Sequence, residues 1–268
     1  MEERNLSSWK EFKRELSVVQ AEHEKLRGPD VTPLLFRGQP NACWLLETTL
    51  DRRRGQLRVS DYYQVIGRIK PEIESMTRVE WPLPEFPEID KLLQGYENFN
   101  NALSFGGWSG YAFMAYLRHH GFPSPLLDWT RSQFIAAFFA FRGATASRVA
   151  IYALSRPRFH LTGSQMTNVI YPGPYVTTHR RHILQQSQYS FAVTYDVEWK
   201  FASYNSAFDK TPHQQGTLWK LTVPVSEAVE VFRELEQHNL NAFSLFGSEE
   251  SLMETLANRE FMTTNLSR

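Results

Sequence analysis

Cysteine is nearly missing from this sequence: Cys43 is the only one in 268 residues. No disulfide can form within it, which makes a reducing compartment the natural setting. Metal centres built on several thiolates are excluded as well. Net charge is missing too, because 29 Lys and Arg balance 29 Asp and Glu. A neutral chain lacks the broad positive field that drives non-specific nucleic-acid binding, although a local basic patch stays open. No run of about 18 apolar residues occurs, so no transmembrane helix is expected. The start, MEERNLSSWK, has no apolar stretch of signal-peptide length. Together these absences predict a cytoplasmic protein with no membrane partner. There is also no P-loop, no dinucleotide fingerprint and no Gly-x-Ser-x-Gly elbow, so a kinase or hydrolase reading has no motif behind it.

What is present is a good supply of core. Apolar residues make up 42% and aromatics 14%, which is not a disordered composition. The length fits one large domain or a domain with an added subdomain. In residues 8–27, Trp9, Phe12, Leu16, Val19, His23 and Leu26 recur at three- and four-residue steps and predict an amphipathic helix. Ser7 or Ser8 would cap it and Gly28-Pro29 would end it. The division is therefore an N-terminal helix, 1–30, packed on a main body, 31–268. A partner-binding role for that helix is the alternative. Residues 33–38 predict a buried strand. Residues 60–78 predict a helix that Pro71 should break or kink. The segment WPLPEFPEID, residues 81–90, holds three prolines and reads as a surface loop or lid. Further helices are expected over 109–120, 131–142, 227–238 and 248–258, with Ser226 and Ser248 as caps for the last two. Strands are expected over 148–154, 189–197 and 217–223. Helices and strands without a strict βαβ rhythm argue for an α+β fold.

Two segments stand out. One is Phe36-Arg37-Gly38-Gln39, followed by Trp44 and Leu50-Asp51-Arg52-Arg53. The other runs from His119-His120-Gly121-Phe122-Pro123 through Leu126-Leu127-Asp128-Trp129-Thr130 into an Ala/Phe-rich helix at 136–140. Together they resemble the FRG domain family, which carries an aromatic-Arg-Gly motif near its start and a His-x-Gly-x-Pro segment leading into Leu-Leu-Asp-Trp-Thr. Arg181 to Tyr189 is similar to a third family motif, with Ser187 in place of its usual glycine. Ser124 and Pro125 stand where the family has Thr and Arg. The likeness spans roughly residues 8–256.

The order of these parts also resembles the ADP-ribosyl transferase superfamily. There a strand ends in Arg-Gly, a second strand feeds an Ala/Phe-rich helix, and a later strand carries a catalytic Glu. This resemblance implies a split mixed sheet flanked by helices. It implies an enzyme that transfers ADP-ribose from NAD to a macromolecule, RNA, DNA or protein, without a metal. A toxin with a neutralising antitoxin protein, or a phage-defence protein, is the setting it implies. Arg37 would grip the diphosphate or ribose with its planar fork of donors, with Gln39 beside it. Gly38 would let the ligand approach the backbone. Trp129 or Tyr189 would stack on nicotinamide. Asp128, Thr130 and Gln185 would surround the reacting ribose, with His119 in support. At the expected Glu position stand Gln185, Gln186 and Gln188, so Asp128 becomes the candidate carboxylate. Binding without catalysis remains the second reading. Each residue also has a plainer role. Arg37 would pair with Asp128, Asp128 or Thr130 would cap the following helix, His119 would be an interior histidine favoured in its charged form by the helix end, and Gln185 would bond backbone. His119 with Asp128 also permits a general-base reading.

Overall fold

The computed structural model describes residues 1–27, 32–95, 97, 108–156, 166–173, 176–210 and 216–263. Strand β1 (Glu2–Asn5) and helix α1 (Trp9–Arg27) lead into strand β2 (Leu35–Gln39). Helices α2 (Asp51–Arg54), α3 (Val59–Thr77), α4 (Phe86–Leu93) and α5 (Tyr111–His119) follow. Next come β3 (Leu127–Thr130), α6 (Gln133–Phe141), β4 (Arg148–Ser155), β5 (Asn168–Ile170), α7 (Arg181–Leu184) and β6 (Ser187–Tyr195). The described chain continues through β7 (Trp199–Phe201), α8 (Tyr204–Lys210), β8 (Thr217–Pro224), α9 (Ala228–Gln237), α10 (Ala242–Phe246) and α11 (Glu249–Ala257).

The strands form one mixed sheet in the order β1-β8-β4-β2-β3-β6-β5, with β7 also paired to β6. Among the described strands only the β1–β8 pairing is parallel. The fold is therefore α+β: an open mixed sheet flanked by helices. Because side chains alternate across a strand, the two faces bury different sets. Val149, Ile151 and Ala153 of β4 join Trp219, Leu221 and Val223 of β8 and pack against α1, α6, α9 and α10. Ala150, Tyr152 and Leu154 point the other way, into a core shared with Trp129 and α8. A third core forms between β6, β7, α3 and α5 around Tyr189, Phe191 and Val193.

The N-terminal helix belongs to the first core. Trp9, Phe12, Leu16 and Val19 are buried there, and Trp9 stacks on Phe12 at 4.7 Å. Its indole N–H donates to Glu234 of α9 at 2.8 Å, and Ser8 accepts the Glu11 N–H as cap. His23 ends the buried face; Leu26, expected on it, is exposed. Gly28-Pro29 lies outside the described residues.

Several local expectations are corrected by context. Helix α3 runs through Pro71 without a break. Its buried residues Val59, Tyr62, Tyr63 and Ile66 all precede the proline, so burial holds the helix while Pro71 sits on an exposed stretch. The proline segment is not a free lid. Trp81 is buried against Phe113 and Tyr116, and helix α4 starts inside the segment at Phe86. Pro87 lies in its first turn, where a missing N–H costs nothing, behind a Glu85–Glu88 capping box. Ser248 caps α11 as its position predicts. Ser226 does not cap α9, because it is absorbed in a 3-10 turn, Val225–Glu227, that precedes the helix.

Between β2 and β3 the ladder holds a single register pair, Phe36 with Thr130, whereas β2 and β4 are paired over all five residues of β2. Beyond that pair the two strands part. Gly38 is the reason β2 can lie where it does. A Cβ there would meet the Ala136 carbonyl oxygen at 1.9 Å and the Ala140 nitrogen at 2.5 Å. The glycine therefore serves close packing of strand on helix.

Two outcomes are expected. Gly38→Ala forces α6 off β2 and costs at least about 3 kcal/mol, the upper end of overpacking penalties; urea unfolding measures it, and a loss below about 1 kcal/mol would contradict the packing. Deleting residues 1–27 exposes the first core, so the truncated chain loses cooperative thermal unfolding. A truncated chain that melts like the full one would restore the helix as a detachable partner surface.

Candidate functional site

Where β2 and β3 part, a cleft opens with a volume of about 180 Å³. Phe36, Ala136, Phe139 and Phe246 form its apolar wall. Arg118 and His119, at the end of α5, contribute to the lining together with Arg181, Gln185 and Ser187 from α7 and the start of β6. Arg37, Gly38, Asp128, Trp129 and Thr130 complete it. Sequence positions as far apart as Phe36 and Phe246 thus reach one place.

Arg37 occupies the gap itself. Its Nη1 donates to the Asp128 carbonyl at 2.8 Å and lies 3.8 Å from the Asp128 carboxylate. Arg118 bonds that same carboxylate directly. Arg181 reaches over the Phe246 ring, 5.3 Å from its centroid, with Arg142 also over that ring at 4.5 Å. The Nε atoms of Arg37, Arg118 and Arg181 are buried without a partner among the described residues. The lining thus holds three guanidiniums and one carboxylate, an arrangement that favours an anion with more than one charge.

Burial pushes the Arg37 guanidinium down to about 10; Asp128 works against that, while Arg118 and Arg52 add to it. It remains a cation at neutral pH. Burial opposes ionisation of Asp128, but Arg118, Arg37 and His119 outweigh it and hold the carboxyl below the usual carboxylate range. Asp128 is thus an ionised acid and a weak base. Burial drives His119 down to about 4, against the pull of Asp128 and with help from His182, His179 and Arg118. It is neutral at pH 7. Burial thus outweighs the helix end that was expected to favour its charged form.

The cleft brings together Arg37, Gly38, His119, Asp128, Trp129, Thr130 and Gln185. Several predicted residues are engaged elsewhere. Trp129 contributes to the lining, but its indole is buried in the core behind, with its N–H on Ser190 at 2.7 Å. Tyr189 is buried against Tyr111 and bonds His119 at 2.6 Å. Neither ring offers a free face for stacking. Gln39 lies outside the cleft and donates to the Leu45 carbonyl, holding the loop after β2. Gln185 donates to the Leu245 carbonyl at 3.1 Å, which ties α7 to α10. Asp128 lies within β3 and caps nothing; Ser132 accepts the Ile135 N–H instead. The left-handed backbone near the third motif falls on Gln186, with φ of 48°, so Ser187 sits in β6 without strain. Arg118, Phe139, Arg181 and Phe246 were missed. Arg118 directly precedes His119 and Arg181 opens the third motif, so both had a signal in their neighbours. Phe139 lies in the Ala/Phe-rich helix of the second motif, which drew attention to it only as core; Phe246 had no signal.

Fold and site together define an α+β domain built around an arginine-walled cleft in an opened sheet. The FRG domain family model matches residues 32–148, and the chain carries an FRG domain there. The match runs from just before β2 to the first residue of β4; Arg181, Gln185 and Ser187 lie beyond it. No curated protein and no solved structure matches the chain. Among the described residues no group of three or more His, Cys, Asp or Glu is placed to hold a metal, and no helix is long and apolar enough to cross a membrane.

Asp128→Asn removes the only carboxylate among the lining residues. Inorganic pyrophosphate should then bind tighter by on the order of tenfold, about 1.4 kcal/mol, read by titration calorimetry. Weaker binding in a folded variant would mean that Asp128 arranges the arginines rather than competing for them. The neutral His119 sets a second expectation. Its folded pKa lies below the unfolded value, so the unfolded chain takes up the proton first. Stability is full above about 6.5 and is lost as pH falls from there towards about 4. Chemical denaturation of His119→Gln should show a flatter profile in that window.

Proposed function

We propose that the cleft binds the diphosphate and adjoining ribose of NAD, and that the chain is an ADP-ribosyl transferase-like enzyme acting on a macromolecule, RNA, DNA or protein. The supporting observation is the gap between β2 and β3, lined by three guanidiniums around one ionised carboxylate. The element order supports it further: an Arg-Gly strand, a strand feeding an Ala/Phe-rich helix, and β6. This is the order of the transferase pattern without its Glu, and we read the opening between β2 and β3 as the counterpart of its split. The volume exceeds the roughly 150 Å³ cavity that takes a benzene ring, so one ring with its neighbouring group fits. The rest of the dinucleotide would extend out of the opening.

NAD supplies a glycosidic bond whose cleavage builds positive charge on the ribose. Arg181, Arg118 and Arg37 hold the diphosphate by charge-assisted hydrogen bonds. Asp128, kept ionised by its arginines, faces the developing cation, a contribution typically of a few kcal/mol. The apolar wall of Phe139 and Phe246 keeps water from the reacting carbon. In this reading the protein is a toxin or phage-defence enzyme, and a neutralising antitoxin would act by covering the opening.

A second reading, nucleotide binding without turnover, has its own support. Gln185 stands where an acid is expected, and its amide is already committed to the Leu245 carbonyl.

Nicotinamide release from NAD, measured with and without RNA, DNA and cell lysate, separates the two. Arg181→Ala is the cleaner variant, because Arg37 also bridges two strands. Release should fall by about a hundredfold, near 2.7 kcal/mol, with the melting temperature unchanged. Saturable NAD binding without release in any condition selects the binding module. Neither binding nor release sinks both.

A further inference from the structure

Tyr189 and His119 form a pair whose geometry reaches beyond simple packing. The Tyr189 oxygen lies 2.6 Å from His119 Nε2 and 3.3 Å from His182 Nδ1. A phenol has one proton to give. The short contact has the length of an O–H donor and is shorter than usual for an N–H donor, while the long contact is weak by either standard. The phenol proton therefore goes to His119 Nε2. Tyr189 is buried, with the His182 ring stacked on it and Tyr111 against its edge, and Ser187 also reaches its hydroxyl, acting as a donor to the phenol oxygen and so leaving the phenol proton for His119. His119 lines the cleft next to Asp128, and no described residue bonds its Nδ1.

We infer that Tyr189 is a positioning residue that locks His119 as the Nδ1–H tautomer, making it a neutral hydrogen-bond donor for a neutral oxygen of the ligand beside its phosphates. A neutral imidazole offers one donor and one acceptor, and the bond made by one nitrogen decides which role the other takes. Burial keeps the ring unprotonated against the nearby Asp128, while His182, His179 and Arg118 work in the same direction as burial. The cleft then offers two chemistries side by side: guanidiniums for charge and one uncharged donor for a hydroxyl or carboxamide oxygen. The role in turnover rests on the NAD reading; the tautomer does not.

The first test uses the ligand-free full chain. Nitrogen and carbon NMR shifts of His119 at pH 7, assigned with His119→Gln, should report a neutral ring protonated at Nδ1. A charged ring, or one protonated at Nε2, overturns the inference. Tyr189→Phe should move the ring towards the Nε2–H form. The same shifts in a folded variant that stay at Nδ1–H overturn the role of Tyr189. If Tyr189→Phe does not fold, the wild-type tautomer still decides. The second test compares pyrophosphate with NAD. Tyr189→Phe should weaken NAD about tenfold and leave pyrophosphate unchanged, because only NAD offers a hydroxyl or carboxamide. An equal loss for both would make Tyr189 merely structural. Absence of NAD binding in the wild type would count against the NAD reading and leave the tautomer result standing.

Discussion

The separation of β2 from β3 is the constraint on which the rest depends. In an unbroken antiparallel ladder, Gly38 would come opposite Asp128. Here the Asp128 carbonyl receives the Arg37 guanidinium instead. A buried carbonyl left unpaired carries a real desolvation cost, so the arginine is as much a part of the sheet as a strand partner would be. Gly38 lets β2 settle on the backbone of α6, and Arg37 closes the opening that remains. One cation thus holds the sheet together and faces the cleft.

Burial then sets the chemistry of the cleft. Arg37 and Arg118 would repel one another if left alone, and Asp128 offsets part of that repulsion. In return they keep Asp128 ionised despite its surroundings. His119 takes the opposite course and sheds its charge. Adjacent groups are therefore driven to different protonation states, a pattern common where a protein handles charged ligands. The aromatic wall adds a dry side, and Phe246 beneath Arg181 and Arg142 couples the C-terminal helices to it. The FRG domain match stops at Arg148, yet α7 and α10 supply part of the lining. The cleft is therefore completed by chain outside the matched stretch.

The sequence by itself determined the buried face of α1, the cores of β4 and β8, the helix of alanines and phenylalanines, and the family of the matched segment. Each rests on local periodicity or on a contiguous motif, and both survive in one dimension. It also singled out Arg37, Asp128, His119 and Gln185, which do meet in space. What the tertiary structure alone decided is how each acts. Whether a glycine is needed for close packing depends on what lies beside its backbone, and for Gly38 that is the Ala136 carbonyl. Whether an indole stacks or supports depends on which side of a strand carries the core, and Trp129 falls on the core side. Whether a histidine near a carboxylate is charged depends on the sum of burial and neighbours, not on its place at a helix end. Pro71 and Pro87 make the same point for the backbone, since their cost depends on position within a helix that distant contacts hold. Composition and spacing carry local preference; only the packed chain brings distant residues close enough for that preference to be overruled.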